Sequence, residues 1–172
     1  EAGNQGYGNN DEVAVFNESE QITSVAATKL TAEKCEEYAI DLSFEGFYAI
    51  SDEQELYWFC EQVNAGNVDL NGVLVDDIIV NEKIVYENGM LLSDVSILFD
   101  WTPIGNVTNK FKGVFDGNGY TISGLYISAK NQTEIGFFGY VNGAEIRNLS
   151  VENSFFMGFN YVGGICGRAE EA

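Results

Sequence analysis

A pair of repeat elements in the C-terminal half constrains this chain more than any other feature. Ile122-x-x-Leu125-x-Ile127 recurs as Ile146-x-x-Leu149-x-Val151, 24 residues later. Each copy is followed by a glycine-bracketed apolar pair, Gly136-Phe-Phe-Gly139 and Gly164-Ile-Cys-Gly167, spaced by 28 residues. Looser copies of the first element stand at Leu70-x-x-Val73-x-Val75 and Leu92-x-x-Val95-x-Ile97. About two such triplets arise by chance in a chain this rich in aliphatic residues, so the downstream pair carries the weight. A strand-and-turn unit of roughly 20–30 residues is the signature of a solenoid. Residues 120–167 hold no helical pattern, so each unit is read as one coil of parallel β-strands. Ile122 is then expected near Ile146, and Leu125 near Leu149. Glycine suits the coil corners, which need φ > 0 or close backbone approach. The competing architecture is an antiparallel sandwich with hairpins every ~8–12 residues.

Upstream of residue 67 the periodicity is helical. Ser51-Asp-Glu-Gln54 reads as a capping box with Ser51 at the N-cap. Leu56, Phe59, Cys60 and Val63 follow as one apolar stripe, and Asn64-Ala65-Gly66 supplies the stop. The spacing predicts a helix over 52–64. Before it, Thr31 is placed to cap a helical turn through Tyr38, while Val13–Phe16 and Ala39–Phe44 look like short strands. Residues 1–12 read as a flexible acidic tail, 13–66 as an N-terminal cap region and 67–172 as β coils. The last glycine-apolar element stands only five residues from the final Ala172. That placement suggests a piece of a longer solenoid whose open C-terminal coil favours self-association.

Composition narrows the function. Eight Lys and Arg against 27 Asp and Glu leave a net charge of −19. Such a surface repels phosphate backbones and anionic headgroups, which argues against nucleic acid. No apolar run is long enough to insert in a membrane. Histidine is absent, which removes Ser-His-Asp, Cys-His and His-based zinc chemistry. Cys35, Cys60 and Cys166 form no CxxC; three small buried thiols is the favoured reading, with a Cys35–Cys60 disulfide as the alternative.

Several pieces of the chain together resemble the GLUG-repeat β-helix proteins, which are large secreted or wall-anchored bacterial proteins. They are Trp101-Thr-Pro103-Ile-Gly105, Phe111-Lys-Gly-Val-Phe115-Asp116-Gly117-Asn118-Gly119-Tyr-Thr-Ile-Ser-Gly-Leu125, Ile135-Gly136-Phe-Phe-Gly139, Ala144-Glu-Ile-Arg-Asn-Leu149 and Val162-Gly-Gly164-Ile-Cys-Gly167. Residues 50–66 are similar to the helical segment that precedes that β-helix. The resemblance implies a mainly β fold, a right-handed parallel β-helix of the pectin-lyase-like kind with one N-terminal flanking or capping α-helix. It implies a non-catalytic extracellular scaffold or adhesion module, secreted or attached to the cell wall, with a host or cell-wall glycan or protein as partner.

Four groups of residues remain as site candidates. Asp116 and Asn118 on their glycine turn offer oxygen ligands for Ca²⁺, the one cofactor left open, against a turn held by its own side chains. Asn67–Gly72 begins like an EF-hand loop but has Ile78 where the bidentate Glu belongs, and is set aside. Asp76, Asp77, Asp100, Asp116, Glu134, Glu145 and Glu152 fall in no repeating register and have no basic neighbour to assist a carbanion, so no enzyme site is assigned. Among the aromatics, Phe155, Phe156, Phe159 and Tyr161 in Ser154–Tyr161 are the least core-like. They are the candidate sugar-stacking faces of an alternative, a carbohydrate-binding or polysaccharide-processing β-helix.

Overall fold

The computed structural model describes residues 21–171; the expected tail at 1–12 and the expected strand at Val13–Phe16 lie outside them. The chain is mainly β with few helices, and its strands pair almost entirely in parallel. Among the described strands only β1 (Thr28–Lys29) and β2 (Tyr48–Ile50) pair antiparallel, and a single antiparallel bridge joins Val85 to Leu91. From β2 onward the chain makes three passes that lie side by side, and none of the small sheets closes on itself.

The first pass holds β3 (Gly72–Leu74) and β4 (Ile78–Ile79). An irregular excursion over 80–99 follows, and then Asp100, Ile104 and Phe111 bridge singly to the second pass. That second pass holds β5 (Val114–Asp116), β6 (Thr121–Ser123), β7 (Tyr126–Ser128), β8 (Thr133–Ile135) and β9 (Phe138–Asn142). In the third, β10 (Glu145–Arg147), β11 (Ser150–Glu152), β12 (Phe155–Met157), β13 (Asn160–Val162) and β14 (Cys166–Glu170) pair with those five in the same order. Partners are 27 to 31 residues apart, from Thr133 facing Asn160 to Val114 facing Glu145.

The expected stacking of Ile122 on Ile146 and of Leu125 on Leu149 is therefore corrected; Leu125 lies opposite Ser154, and Leu149 beside Gly117. Ile122 faces Val151, and Ile146 faces Phe115. The Asp116–Gly119 turn is the cause. It makes the step from Phe115 to Ile122 seven residues, where the third pass takes a step of five from Ile146 to Val151. Gly117 sits where a Cβ would lie 2.6 Å from Leu149 Cα, so the turn hugs the chain beside it.

Corners repeat in the same register. Asn118 and Asn148, Gly124 and Asn153, Glu134 and Tyr161, and Gly143 and Glu171 all have φ between +44° and +78°. Each pair adjoins across the second and third passes, so left-handed backbone stacks on left-handed backbone.

Helix α1 (Ala32–Glu37) is capped by Thr31, whose Oγ1 accepts from Lys34 N at 3.2 Å. The expected strand at Ala39–Phe44 is instead a 3₁₀ turn, Leu42–Phe44, because Asp41 Oδ1 accepts from Ser43 N at 2.7 Å. Helix α2 (Glu53–Asn64) starts one residue later than the capping-box reading. Asp52, not Ser51, is the N-cap and accepts from Glu55 N, while Glu55 Oε2 reaches back to Ser51 N at 2.7 Å. Gln54 turns away and donates to Thr23 O. The stripe Leu56, Phe59, Cys60 and Val63 is buried as its spacing predicts. Phe59 meets Phe111 and Phe115 edge-on, with ring centroids 6.0 and 5.5 Å apart. Cys35 and Cys60 lie in separate apolar clusters and all three cysteines are free thiols, so the disulfide alternative is not formed. No helix among the described residues is long and apolar enough to cross a membrane.

Candidate functional site

The motif residues are structural anchors. Trp101 stacks on Phe137 at 5.4 Å and its Nε1 donates to Phe137 O. Asn64, at the end of α2, donates to Pro103 O at 3.0 Å and accepts from Gly105 N at 2.8 Å, fixing that loop to the helix. Phe115 packs between Phe59, Phe137 and Phe138. Gly105, Gly136, Gly139 and Gly167, like Gly117, leave no room for a Cβ against nearby backbone, whereas Gly119 and Gly164 face open space.

Asp116 is buried and its oxygens are occupied. Oδ2 accepts from Arg147 Nε at 2.6 Å; Oδ1 accepts from Asn118 N at 2.8 Å and Asn148 Nδ2 at 3.1 Å. Burial alone would raise its pKa, but these donors outweigh it and hold the carboxyl below its ordinary value. Asn118 Nδ2 donates to Leu74 O. The pair thus fastens the turn to both neighbouring passes, and a cation at Oδ2 would have to displace Arg147. Among the described residues no three Cys, Asp or Glu side chains are placed to hold a metal ion.

The four aromatic candidates divide. Phe155 stacks on Tyr126 at 5.8 Å, and Phe156 packs against the core. These two are half-buried rather than free faces: on opposite sides of β12, Phe156 meets the main core and Phe155 meets the cluster of Ile84, Leu98 and Tyr126. Phe159 and Tyr161 are 69% and 54% exposed.

Around Tyr161 the passes bring together residues that local sequence patterns do not connect. Glu134 and Tyr161 occupy facing positions of β8 and β13, both with left-handed backbone at φ 58° and 54°. For such bulky residues that conformation costs about 1–3 kcal/mol each and persists only where the surroundings impose it. The Glu134 side chain is buried; it accepts from Thr133 Oγ1 and lies 3.8 Å from Arg168 Nη1. The Arg168 guanidinium is 4.7 Å from the Tyr140 ring centroid and 5.1 Å from that of Tyr161. Arg168 Nη2 and Lys110 Nζ reach Glu170 at 3.1 and 2.9 Å, and Tyr140 Oη donates to Glu170 Oε1. The Tyr140 hydroxyl, then Lys110, hold the Glu170 carboxyl down at about 2. Two cations, two acids and two tyrosines from three passes make one locally balanced corner on an otherwise acidic surface. The signal for this cluster was the 28-residue interval, which sets Arg168 beside Tyr140.

Beside this corner is a depression of about 210 Å³ lined by Asn64, Thr102, Asn106, Val107 and Gln132–Ile135. A larger groove of about 400 Å³ lies between α2 and Thr102, lined by Tyr57, Cys60, Glu61 and Ala65. Burial raises the pKa of both Tyr57 and Cys60 well above the ordinary range, so neither is an activated nucleophile.

No family model and no solved structure matches the chain. Two curated proteins are similar to parts of it. A protein of Evansella cellulosilytica named "Putative Gly-rich membrane protein" is 42% identical over 57 residues, 32% of this chain. Halomucin of Haloquadratum walsbyi is 33% identical over 108 residues, 62% of this chain. The matched segments make up 6% and 1% of those proteins, so the chain is a small part of the length of either.

Proposed function

We propose that this chain is a non-catalytic scaffold or adhesion module of an extracellular protein, built as a right-handed parallel β-helix of the GLUG-repeat kind. The observation that carries the reading is the stacking of four left-handed corners in one register with five parallel ladders. A solenoid requires that arrangement, because each coil must turn at the same places as the coil beneath it. Parallel connections are right-handed almost without exception, which supports the hand. Helix α2 covers one end, with Phe59 and Val63 filling the first pass. The great length of both relatives, and the naming of one as a membrane protein, support placement in a long polypeptide at the cell surface.

Hydrogen exchange tests the architecture and an assay of polysaccharide cleavage tests the absence of catalysis. In a stack, each pass is protected by its neighbours. Amides of β5 and β6, which have a parallel strand on both sides, should exchange more slowly than those of their outer partners β10 and β11. Equal exchange in the two passes would contradict the stacked module. Release of reducing sugar from any of a panel of polysaccharides would contradict the non-catalytic assignment.

A further inference from the structure

We infer that the corner column running from Val107 through Gln132–Ile135 to Phe159–Val162 is a binding face for a neutral polysaccharide. The column is continuous. Val107 and Gln132–Ile135 line one depression. Phe159 N donates to Gln132 O at 2.7 Å, and Val162 faces Ile135 in the ladder above it. Of the ten large apolar side chains that are exposed among the described residues, four, Val107, Phe159, Tyr161 and Val162, fall on this column.

Three observations choose the ligand. First, the Tyr161 ring is positioned: its backbone is left-handed and it stands against the Arg168 guanidinium, while Gly158, with no room for a Cβ against Ile135 and Gln132 O, brings the chain before Phe159 close to the neighbouring pass. A pre-set aromatic face loses little entropy on binding, and the apolar face of a sugar ring stacks on it. Second, the depression is lined by polar side chains; Asn64, Thr133 and Glu134 are engaged within the chain, which leaves the Thr102 hydroxyl, the Gln132 carboxamide and Asn106 Nδ2 to hydrogen-bond to sugar hydroxyls. At about 210 Å³ it is smaller than an ordinary pocket for a compact ligand, and it is open, which suits a chain lying across it. Third, the net charge of −19 repels polyanions, while Arg168 and Lys110 are already engaged by Glu134 and Glu170. A neutral chain meets no such barrier.

The inference deepens the adhesion reading by naming its ligand class, and the two fail separately. The exchange experiment above reads the stack; the following reads only the face. The protein is run in native gels containing laminarin, galactomannan, soluble starch or polygalacturonate, with isothermal titration for any that retards it. At least one of the three neutral polymers should retard the protein, and polygalacturonate should not. Phe159→Ala and Tyr161→Ala should each weaken that binding about tenfold, the double variant should abolish it, and Tyr161→Trp should retain it. Tyr86→Ala, which removes an exposed aromatic from the excursion, should leave it unchanged. Both targeted side chains are exposed, and unaltered melting of the variants checks that the fold is intact. No retardation in any neutral polymer, preference for polygalacturonate, or full binding by a folded double variant would overturn the inference.

Discussion

Asn81 offers the sharpest test of how the excursion over 80–99 is tied to the stacked passes. The residue is buried, and its carboxamide makes three hydrogen bonds. Nδ2 donates to Phe99 O at 3.0 Å and to Gly124 O at 2.8 Å, while Oδ1 accepts from Phe99 N at 2.9 Å. Asn81→Leu keeps approximate volume but orphans one N–H and two carbonyls. Each buried unpaired group costs about 1–3 kcal/mol. Only the bond to Gly124 O is fully buried, so water recovers part of the other two, and the expected loss is about 2–4 kcal/mol. Urea unfolding followed by the fluorescence of Trp58 and Trp101 reads this as a lower midpoint with an unchanged slope. Asn81→Asp adds a pH signature. A carboxylate oxygen in the place of Nδ2 would face two carbonyls, so the folded state raises its pKa above the unfolded value of about 3.9. The protonated acid can donate, so the variant is least impaired below that unfolded value. Its deficit grows as pH rises from there through the folded pKa. A loss below about 1 kcal/mol for Asn81→Leu, or a deficit for Asn81→Asp that shrinks with rising pH, would refute the reasoning.

Phe59→Ala should cost about 3–5 kcal/mol in the same urea assay, because the ring is fully buried against Phe111 and Phe115. Gly124→Ala should destabilise markedly: φ is +78° and a Cβ would overlap the Asn81 carbonyl; each kcal/mol lost should lower the calorimetric Tm by about 2–4 °C. Glu170→Gln removes a carboxylate whose folded pKa is depressed to about 2. Its contribution is present above the unfolded value of about 4.3 and lost as pH falls toward 2, so wild type and variant should differ above pH ~5 and converge on acidification. Urea midpoints measured across that range check the sign.

Helix α2 was legible because four apolar residues at helical spacing can be buried on only one face, and all four are. Its first residue was not, because Ser51 and Asp52 both suit an N-cap; Asp52 takes the position by accepting from Glu55 N, and Glu55 rather than Gln54 reaches back to Ser51 N. The glycine pairs carried the right interval. Gly139 and Gly167 cannot accept a Cβ because backbone crosses there, so their 28-residue spacing is the spacing of the passes. The Ile-Leu triplets misled because aliphatic residues fill any interior row, and Ile146 fills the row of Phe115 as readily as that of Ile122. The corner at Glu134 and Tyr161 was hidden for a different reason. Left-handed backbone is advertised by Gly and Asn, and neither residue is of that kind. Phe155 and Phe159 look alike in sequence; the pairing of β12 on β7 sets Phe155 against Tyr126, while Phe159 follows that strand and is exposed.

The parallel register of the second and third passes is most directly tested by cysteine cross-linking in a Cys166→Ser background. Thr121 pairs with Ser150, and both side chains are accessible at the surface. A Thr121→Cys, Ser150→Cys chain should close a disulfide under mild oxidation, since adjacent strands bring Cα atoms within the ~4.4–6.8 Å that the bond requires. Thr121→Cys with Glu145→Cys, the pair that a 24-residue repeat would align, should remain reduced under the same conditions. Rapid cross-linking of 121 to 145, with 121 and 150 left as free thiols, would contradict the stacked register on which the whole account stands.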